Sequence, residues 1–350
     1  MDAVKHAVFP QVAGRMPSID AARAIAIFAV LAIHCDPFIG RVYSLGEVSA
    51  GELIDLAGRF AVPFFFVVSG YLLGERCRKS GRDLRVVSGF AGRLAGLVLF
   101  WYAFYLLWTP DWNAAWEGGW IRLAYWRAAA LFGDGWSLLA GPRAHLWFLP
   151  ALLIGTLHVF AVMRVKRRVP CLVYFALLYA MGLGAGAYAD HPLLGPLSPG
   201  VPGGGLMCAP LIIATGWWSA GDTVRIGRRV ACFLFIGGTV ATFVEAWTLL
   251  HIYGVPLEGH DFLLATPFQV WGLLNLLRSY PSWAVGTPLP QWGRYTLGVY
   301  AGHVAVMEVL GAREGGGLLW ESLKTPLVYL LTLSVVGLLA RWPRVRPFFA

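Results

Sequence analysis

Apolar residues in this chain come in long, nearly unbroken runs, not in the alternating or three-in-seven patterns of soluble strands and helices, and the polar residues collect between the runs. A helix needs about 17 to 25 such residues to cross the hydrocarbon of a bilayer. Ten runs approach that length, near 19–40, 58–74, 94–109, 145–163, 170–189, 206–222, 230–250, 262–278, 295–311 and 322–340. The pattern predicts an all-α polytopic membrane protein of about ten transmembrane helices, with 1–350 forming one integral membrane domain and no separate soluble domain. Two stretches depart from it. Within 111–143 the apolar piece 120–132 is interrupted by Arg122 and Arg127, which suits an amphipathic helix lying in the membrane interface. The segment 190–205 is rich in glycine and proline and reads as a loop which, folded back into the protein, would line a polar acceptor site.

Basic residues orient the runs, because short cytosolic loops carry the excess of lysine and arginine. With the N-terminus inside, the cytosolic segments hold Lys5, Arg15 and Arg23, then the series from Arg76 through Arg78, Lys79, Arg82 and Arg85 to Arg93, then Arg164, Lys166, Arg167 and Arg168. Further along they hold Arg225, Arg228, Arg229, Arg278, Arg294, Arg341, Arg344 and Arg346. Only Arg41, Arg59, Arg122, Arg127, Arg143, Arg313 and Lys324 fall outside. An even number of spans with N- and C-termini both cytosolic is the consistent arrangement.

Composition agrees with this reading. A hydrophobic share of 58%, a charged share of 13% and a mean hydropathy of +0.63 lie outside the range of soluble domains. Sixteen tryptophans and thirteen tyrosines suit a chain with many membrane–water boundaries. The net charge of +9 would suggest nucleic acid in a soluble protein, but topology accounts for the basic residues here, so membrane lipids and not nucleic acid are the expected partners. No small-residue cleavage site follows the first run, which is therefore read as a retained helix. The five cysteines show no metal-ligand spacing, and neither a metal nor a structural disulfide is expected.

Ionisable groups inside apolar runs are costly and mark candidate chemistry. Arg23 and His34 share the first run; at about 100° and about 1.5 Å per residue they return to nearly the same helix face, roughly 16 Å apart. The pattern predicts Arg23 at one membrane surface and His34 near the midplane. His34 is either a packed, hydrogen-bonded histidine or a general base, and Arg23 either marks the end of the span or grips a phosphate. In the second run Ser69-Gly70 permits close helix approach; Ser69 as a nucleophile lacks a neighbouring base in sequence, so packing is the simpler role. The basic series after it satisfies topology and would also meet a polyanion arriving at the Arg23 face. His145 and Trp147 open the fourth run, Trp147 as an interfacial anchor and His145 as a hydrogen-bonding group for a hydroxylated ligand. His303 lies nine residues past Arg294, at a depth like that of His34. Glu245 and Glu308 either orient a histidine or pair within the bundle.

Four patterns then agree with one family. Arg23 to His34, Phe64-Phe-Phe-Val-Val-Ser-Gly-Tyr-Leu-Leu73 with its basic loop, His145-Leu-Trp-Phe-Leu149 and Leu297-Gly-Val-Tyr-Ala-Gly-His303 together resemble the acyltransferase-3 family of integral membrane O-acyltransferases. Many members carry an arginine pair entering the third span, where 90–96 keeps only Arg93. The resemblance implies transfer of an acyl group, usually acetyl, from cytosolic acyl-coenzyme A to a carbohydrate hydroxyl. Length and motifs are most similar to bacterial exopolysaccharide acetyltransferases of the xanthan type, acting on lipid-linked repeat units in the cell inner membrane. In that reading His34 is the catalytic residue, Arg23 and Arg93 bind the donor, and Ser69, Tyr71, His145, Trp147, Tyr300, His303 and Glu308 support the site or the acceptor. Acetyl-coenzyme A is a substrate, and no metal is required. The rival readings are a glycolipid or polysaccharide transporter or flippase, with buried charges along a polar path, and a membrane scaffold subunit without activity.

Overall fold

The computed structural model describes residues 16–38, 44–45, 48–109, 119–133, 135–165, 167–198, 204–221, 225–258 and 260–349. Lys5, Arg15, Arg41 and Lys166 of the topology argument, and parts of the loops at 111–143 and 190–205, lie outside the described residues. The chain begins with α1 (Pro17–Cys35), a two-residue ribbon of β1 (Ser44–Leu45) and β2 (Val48–Ser49), and a short helix, α2 (Ala50–Gly58). The ribbon is antiparallel, with Ser44 opposite Ser49 and Leu45 opposite Val48. There follow α3 (Ala61–Ser80), α4 (Asp83–Leu107), α5 (Trp120–Gly133), α6 (Gly135–Ala140), α7 (Phe148–Met163), α8 (Arg168–Gly184) and α9 (Gly205–Ser219). The last elements are α10 (Arg228–Tyr253), α11 (Thr266–Ser279), α12 (Leu289–Trp292), α13 (Thr296–Leu310) and α14 (Leu318–Leu339). This is an all-α membrane protein.

Each predicted apolar run contains a helix, but the helices are not of one kind. Among the described residues, six segments are long and apolar enough to cross a bilayer: α1, α2 with α3, α4, 144–163, α10 and α14. The other four, α8, α9, α11 and α13, have 14 to 17 residues, fewer than the roughly 20 a straight crossing takes. α5 forms where an amphipathic helix was expected, with only Leu131 buried; Ile121, Tyr125, Trp126 and Phe132 are exposed.

Two helices organise the bundle. α1 packs against α2, α3, α12, α13 and α14, and α9 packs against α3, α7, α8 and α11. α1 starts with proline at its first turn, where the missing N–H costs nothing. It stops at Cys35, short of the predicted end at 40, because Asp36 takes a left-handed conformation (φ 47°) and Pro37 cannot continue the helix. His34 therefore sits in the last turn of α1 and not at mid-helix. α2 follows a capping box, in which the Ser49 hydroxyl accepts the Glu52 N–H and the Glu52 carboxylate accepts the Ser49 N–H.

The Asp36 cap carries a cost. Burial lifts its carboxyl to about 6, so the folded state resists ionisation that the unfolded chain, near 3.9, accepts freely. Stability from this group is lost as pH rises from about 4 through 6. Asp36→Asn, which removes the charge and tolerates the left-handed backbone, is expected to raise the thermal midpoint well above pH 6, with the gain shrinking toward pH 4. A midpoint that does not differ from wild type at either pH would contradict this.

The seam between α3 and α9 depends on small residues, as expected for Ser69-Gly70. A Cβ at Gly70 would overlap the Ile213 carbonyl, and one at Gly216 would overlap the Val67 carbonyl. Gly70→Ala is expected to cost about 1–3 kcal/mol through forced separation of the helices. Gly92→Ala on α4, where a Cβ meets nothing within 4 Å, should be neutral or mildly stabilising. Thermal unfolding of the two variants in detergent distinguishes them.

Candidate functional site: an arginine-lined cavity beside three histidines

A cavity of about 470 Å³ opens between α1, α3, α4, α7 and the start of α13. Five guanidinium side chains line it: Arg23 of α1, Arg76 of α3, Arg85 and Arg93 of α4, and Arg294 just before α13. No aspartate or glutamate is among its lining residues. Local chemistry brings these groups together. α3 and α4 form a tight helical hairpin around Gly81, whose φ of 63° favours glycine. A Cβ at Gly293 would overlap the Asp20 carbonyl, so only glycine lets the chain before α13 approach α1 closely enough to set Arg294 near Arg23. Arg23 also pairs with Asp20 at 3.3 Å, three residues earlier on α1. Five clustered positive charges beside apolar side chains give the cavity the chemistry that attracts an anion.

Apolar side chains, Phe65, Leu97, Phe148 and Leu152, line the cavity together with Ser69 and Tyr300. Ser69 makes no hydrogen bond to a described residue, so no base activates it. The Tyr300 hydroxyl donates to the backbone carbonyl of His145, and the Phe148 ring lies 5.2 Å from the Tyr300 ring. Behind these two side chains lie three imidazoles from separate elements: His34 of α1, His145 of the 3-10 turn Ala144–Trp147, and His303 of α13. Their ring centroids are 5.2 Å apart for His34 and His303, 6.2 Å for His34 and His145, and 5.0 Å for His145 and His303. Tyr300 lies 5.9 Å from His145 and 6.2 Å from His303. Among the described residues no set of histidine, cysteine or acidic side chains is arranged to hold a metal ion.

Backbone carbonyls hold two of the rings. His145 Nε2 is 3.2 Å from the Ala301 oxygen, which also accepts the Tyr105 hydroxyl at 2.7 Å, and His303 Nδ1 is 2.6 Å from the Tyr300 oxygen. His34 is half-buried and makes no hydrogen bond to a described residue. The turn after it is pinned by α14: Glu321 accepts the Phe38 N–H at 2.8 Å and pairs with the fully buried Lys324 at 2.9 Å.

Not every expected residue comes here. Arg23, Arg93, Ser69 and Tyr300 line the cavity, and His145 and His303 meet His34, but His34 is not among the residues that line the cavity. Tyr71 packs under Arg278, 5.0 Å from guanidinium to ring. Trp147 is wedged against Phe66, Phe262 and Gly205. Glu308 accepts the Trp108 indole N–H at 2.8 Å and pairs with Arg143 at 3.0 Å, steadying the turn that carries His145 without touching a histidine. Glu245 accepts the backbone N–H groups of Leu264 and Ala265 ahead of α11. Lys324 belongs to a helix interior and not to an outer loop, and its partner Glu321 three residues earlier was the available sign. Arg294 was read only as topogenic, although it opens the Tyr300 motif.

A polytopic membrane protein with a polycationic cavity set against a cluster of imidazoles has the parts of an enzyme that transfers a group from a charged donor. The chain belongs to the acyltransferase-3 family: the family model, described as an acyltransferase domain, matches residues 16–341. Among curated proteins it is similar to a serine/alanine racemase of Enterococcus gallinarum, 23% identical over 296 residues, which cover 78% of this chain and 39% of that protein. It is also similar to an amino-acid racemase of Enterococcus faecalis, 24% identical over 274 residues, covering 74% of this chain and 35% of that protein. The chain thus spans less than two-fifths of the length of these relatives. No solved structure matches it.

Proposed function

We propose that this membrane acyltransferase moves an acetyl group from acetyl-coenzyme A to a sugar hydroxyl of an exopolysaccharide or its lipid-linked repeat unit at the bacterial inner membrane. The observation that carries the donor half is the five-arginine cavity with no acidic lining residue, which suits the phosphates of coenzyme A, and its apolar wall, which suits the pantetheine arm. Arg23 and Arg93 hold phosphate together with Arg76, Arg85 and Arg294. His34, half-buried beside two other imidazoles and held by no hydrogen bond to a described residue, suits the base that takes the acceptor's proton while its oxygen attacks the thioester carbon. Tyr300 lines the cavity and lies 6.2 Å from His303, so the thioester approaches the histidines from that end. The acceptor rests on the family resemblance and not on geometry. The racemase names of the relatives are not carried over, since this chain spans only 35–39% of those two proteins.

The test uses purified protein in nanodiscs, radiolabelled acetyl-coenzyme A and a panel of glycan acceptors that includes polyprenyl-diphosphate oligosaccharides. Label is expected in at least one carbohydrate as an alkali-labile ester. Label that stays on coenzyme A with every acceptor, in a protein that binds coenzyme A, would overturn the reading.

A further inference from the structure

His303 is completely buried (0% exposed) on α13. Its Nδ1 faces the Tyr300 carbonyl at 2.6 Å. A carbonyl can only accept, so Nδ1 carries the hydrogen and Nε2 is left as a bare acceptor. That Nε2 has no hydrogen-bond partner among the described residues. A buried acceptor without a partner is uncommon and calls for a reason. His145 is not its donor: its own Nε2 is turned to the Ala301 carbonyl, which leaves Nδ1 bare in the same way. The one imidazole of the cluster whose hydrogen is not committed to a carbonyl is His34, 5.2 Å away between ring centroids and tilted by 32°. His303 also lies 6.2 Å from the ring of Tyr300, which lines the donor cavity. His303 thus adjoins both the base and a residue that lines the donor cavity, with Nε2 as its one free position for a proton.

We propose that His303 is a proton carrier that joins the two halves of the transfer. This rests on the acyl-transfer reading above. As the acceptor oxygen bonds to the thioester carbon, its proton goes to His34, and His34 passes a proton to His303 Nε2. The C–S bond then breaks with its electron pair on sulfur, and His303 returns the proton to the thiolate. One O–C bond forms, one C–S bond breaks, the hydroxyl proton ends on sulfur, and both imidazoles finish neutral. While His303 holds the extra proton, its Nδ1–H still donates to the Tyr300 carbonyl, which stabilises the imidazolium and keeps the ring from turning away.

An asparagine side chain places its amide where Nδ1 lies in histidine, so His303→Asn keeps the donor to the Tyr300 carbonyl and removes only the Nε2 acceptor. With acetyl-coenzyme A and water as the probe acceptor, wild type is expected to release free thiol. His303→Asn should lower kcat by about 100-fold, with KM, coenzyme A binding and thermal midpoint near wild type. If the asparagine protein does not fold, His303→Gln is read instead, and the same loss of kcat is expected. A His303→Asn enzyme that keeps more than about a tenth of wild-type kcat would show that the ring serves only as an anchor and would overturn the proposal. Wild-type protein that transfers acetyl neither to water nor to any glycan brings down the acyl-transfer reading itself, whereas an active wild type with an equally active His303→Asn brings down this inference alone.

Discussion

A His34→Gln enzyme is expected to lose acetyl transfer by at least about 100-fold, the low end of what a positioned general base supplies, while still binding coenzyme A. The separation of the two effects follows from position. The face of α1 that packs the bundle is made by Ile19, Ala22, Ala26, Ile27, Val30 and Leu31, all buried, whereas His34 is half-buried and bonded to no described residue, so glutamine in its place leaves the core intact. His34 is not among the residues that line the arginine cavity, so binding of the phosphates is expected not to depend on it. Transfer measured with labelled acetyl-coenzyme A, beside calorimetric titration with coenzyme A, reads the two quantities separately. Retained transfer removes His34 from the chemistry, and lost coenzyme A binding makes its role structural.

Neutralising the cavity arginines is expected to act on the opposite quantity. A hydrogen bond to a charged group contributes about 1.5–3 kcal/mol, which is roughly a 10- to 100-fold change in donor affinity for each well-used guanidinium. Arg23→Gln is the informative variant: Arg23 is half-buried, and glutamine can still donate to Asp20, itself 8% exposed, so the loss reports on ligand and not on an orphaned carboxylate. Arg76 and Arg85 are more exposed, and their removal should cost less and fade further in high salt. Coenzyme A lacking its 3′-phosphate should lose sensitivity to whichever arginine meets that group. If all five single substitutions left the dissociation constant within twofold, the cavity would not be the donor site.

The apolar runs were legible because they are local: span length is written into consecutive residues. The stop after Cys35 was missed: Asp36-Pro37 terminates the helix, but the apolar run continues to residue 40 and set the predicted end. The union of His34 with His145 and His303 was not legible as geometry. Each histidine marks a depth in its own helix, but which helices pack together is decided by contacts such as Gly293 on the Asp20 carbonyl and Gly70 on the Ile213 carbonyl, and no periodicity carries that information. The same holds for Tyr71 and Trp147. Their motifs placed them near the site in sequence, but the rotation of α3 turned Tyr71 toward Arg278, and the glycine at 205 took in the Trp147 ring.

The short helices carry a further consequence. α13, which bears His303, has 15 residues and α11 has 14, so along their axes they reach about 21 to 23 Å, against about 30 Å of hydrocarbon in an undisturbed bilayer. A helix of that length crosses such a bilayer only if the bilayer thins beside it. On the proposed reading, a donor held by its phosphates at one end of α13 has about 21 to 23 Å of helix, and not a full bilayer thickness, to cover to an acceptor at the other end.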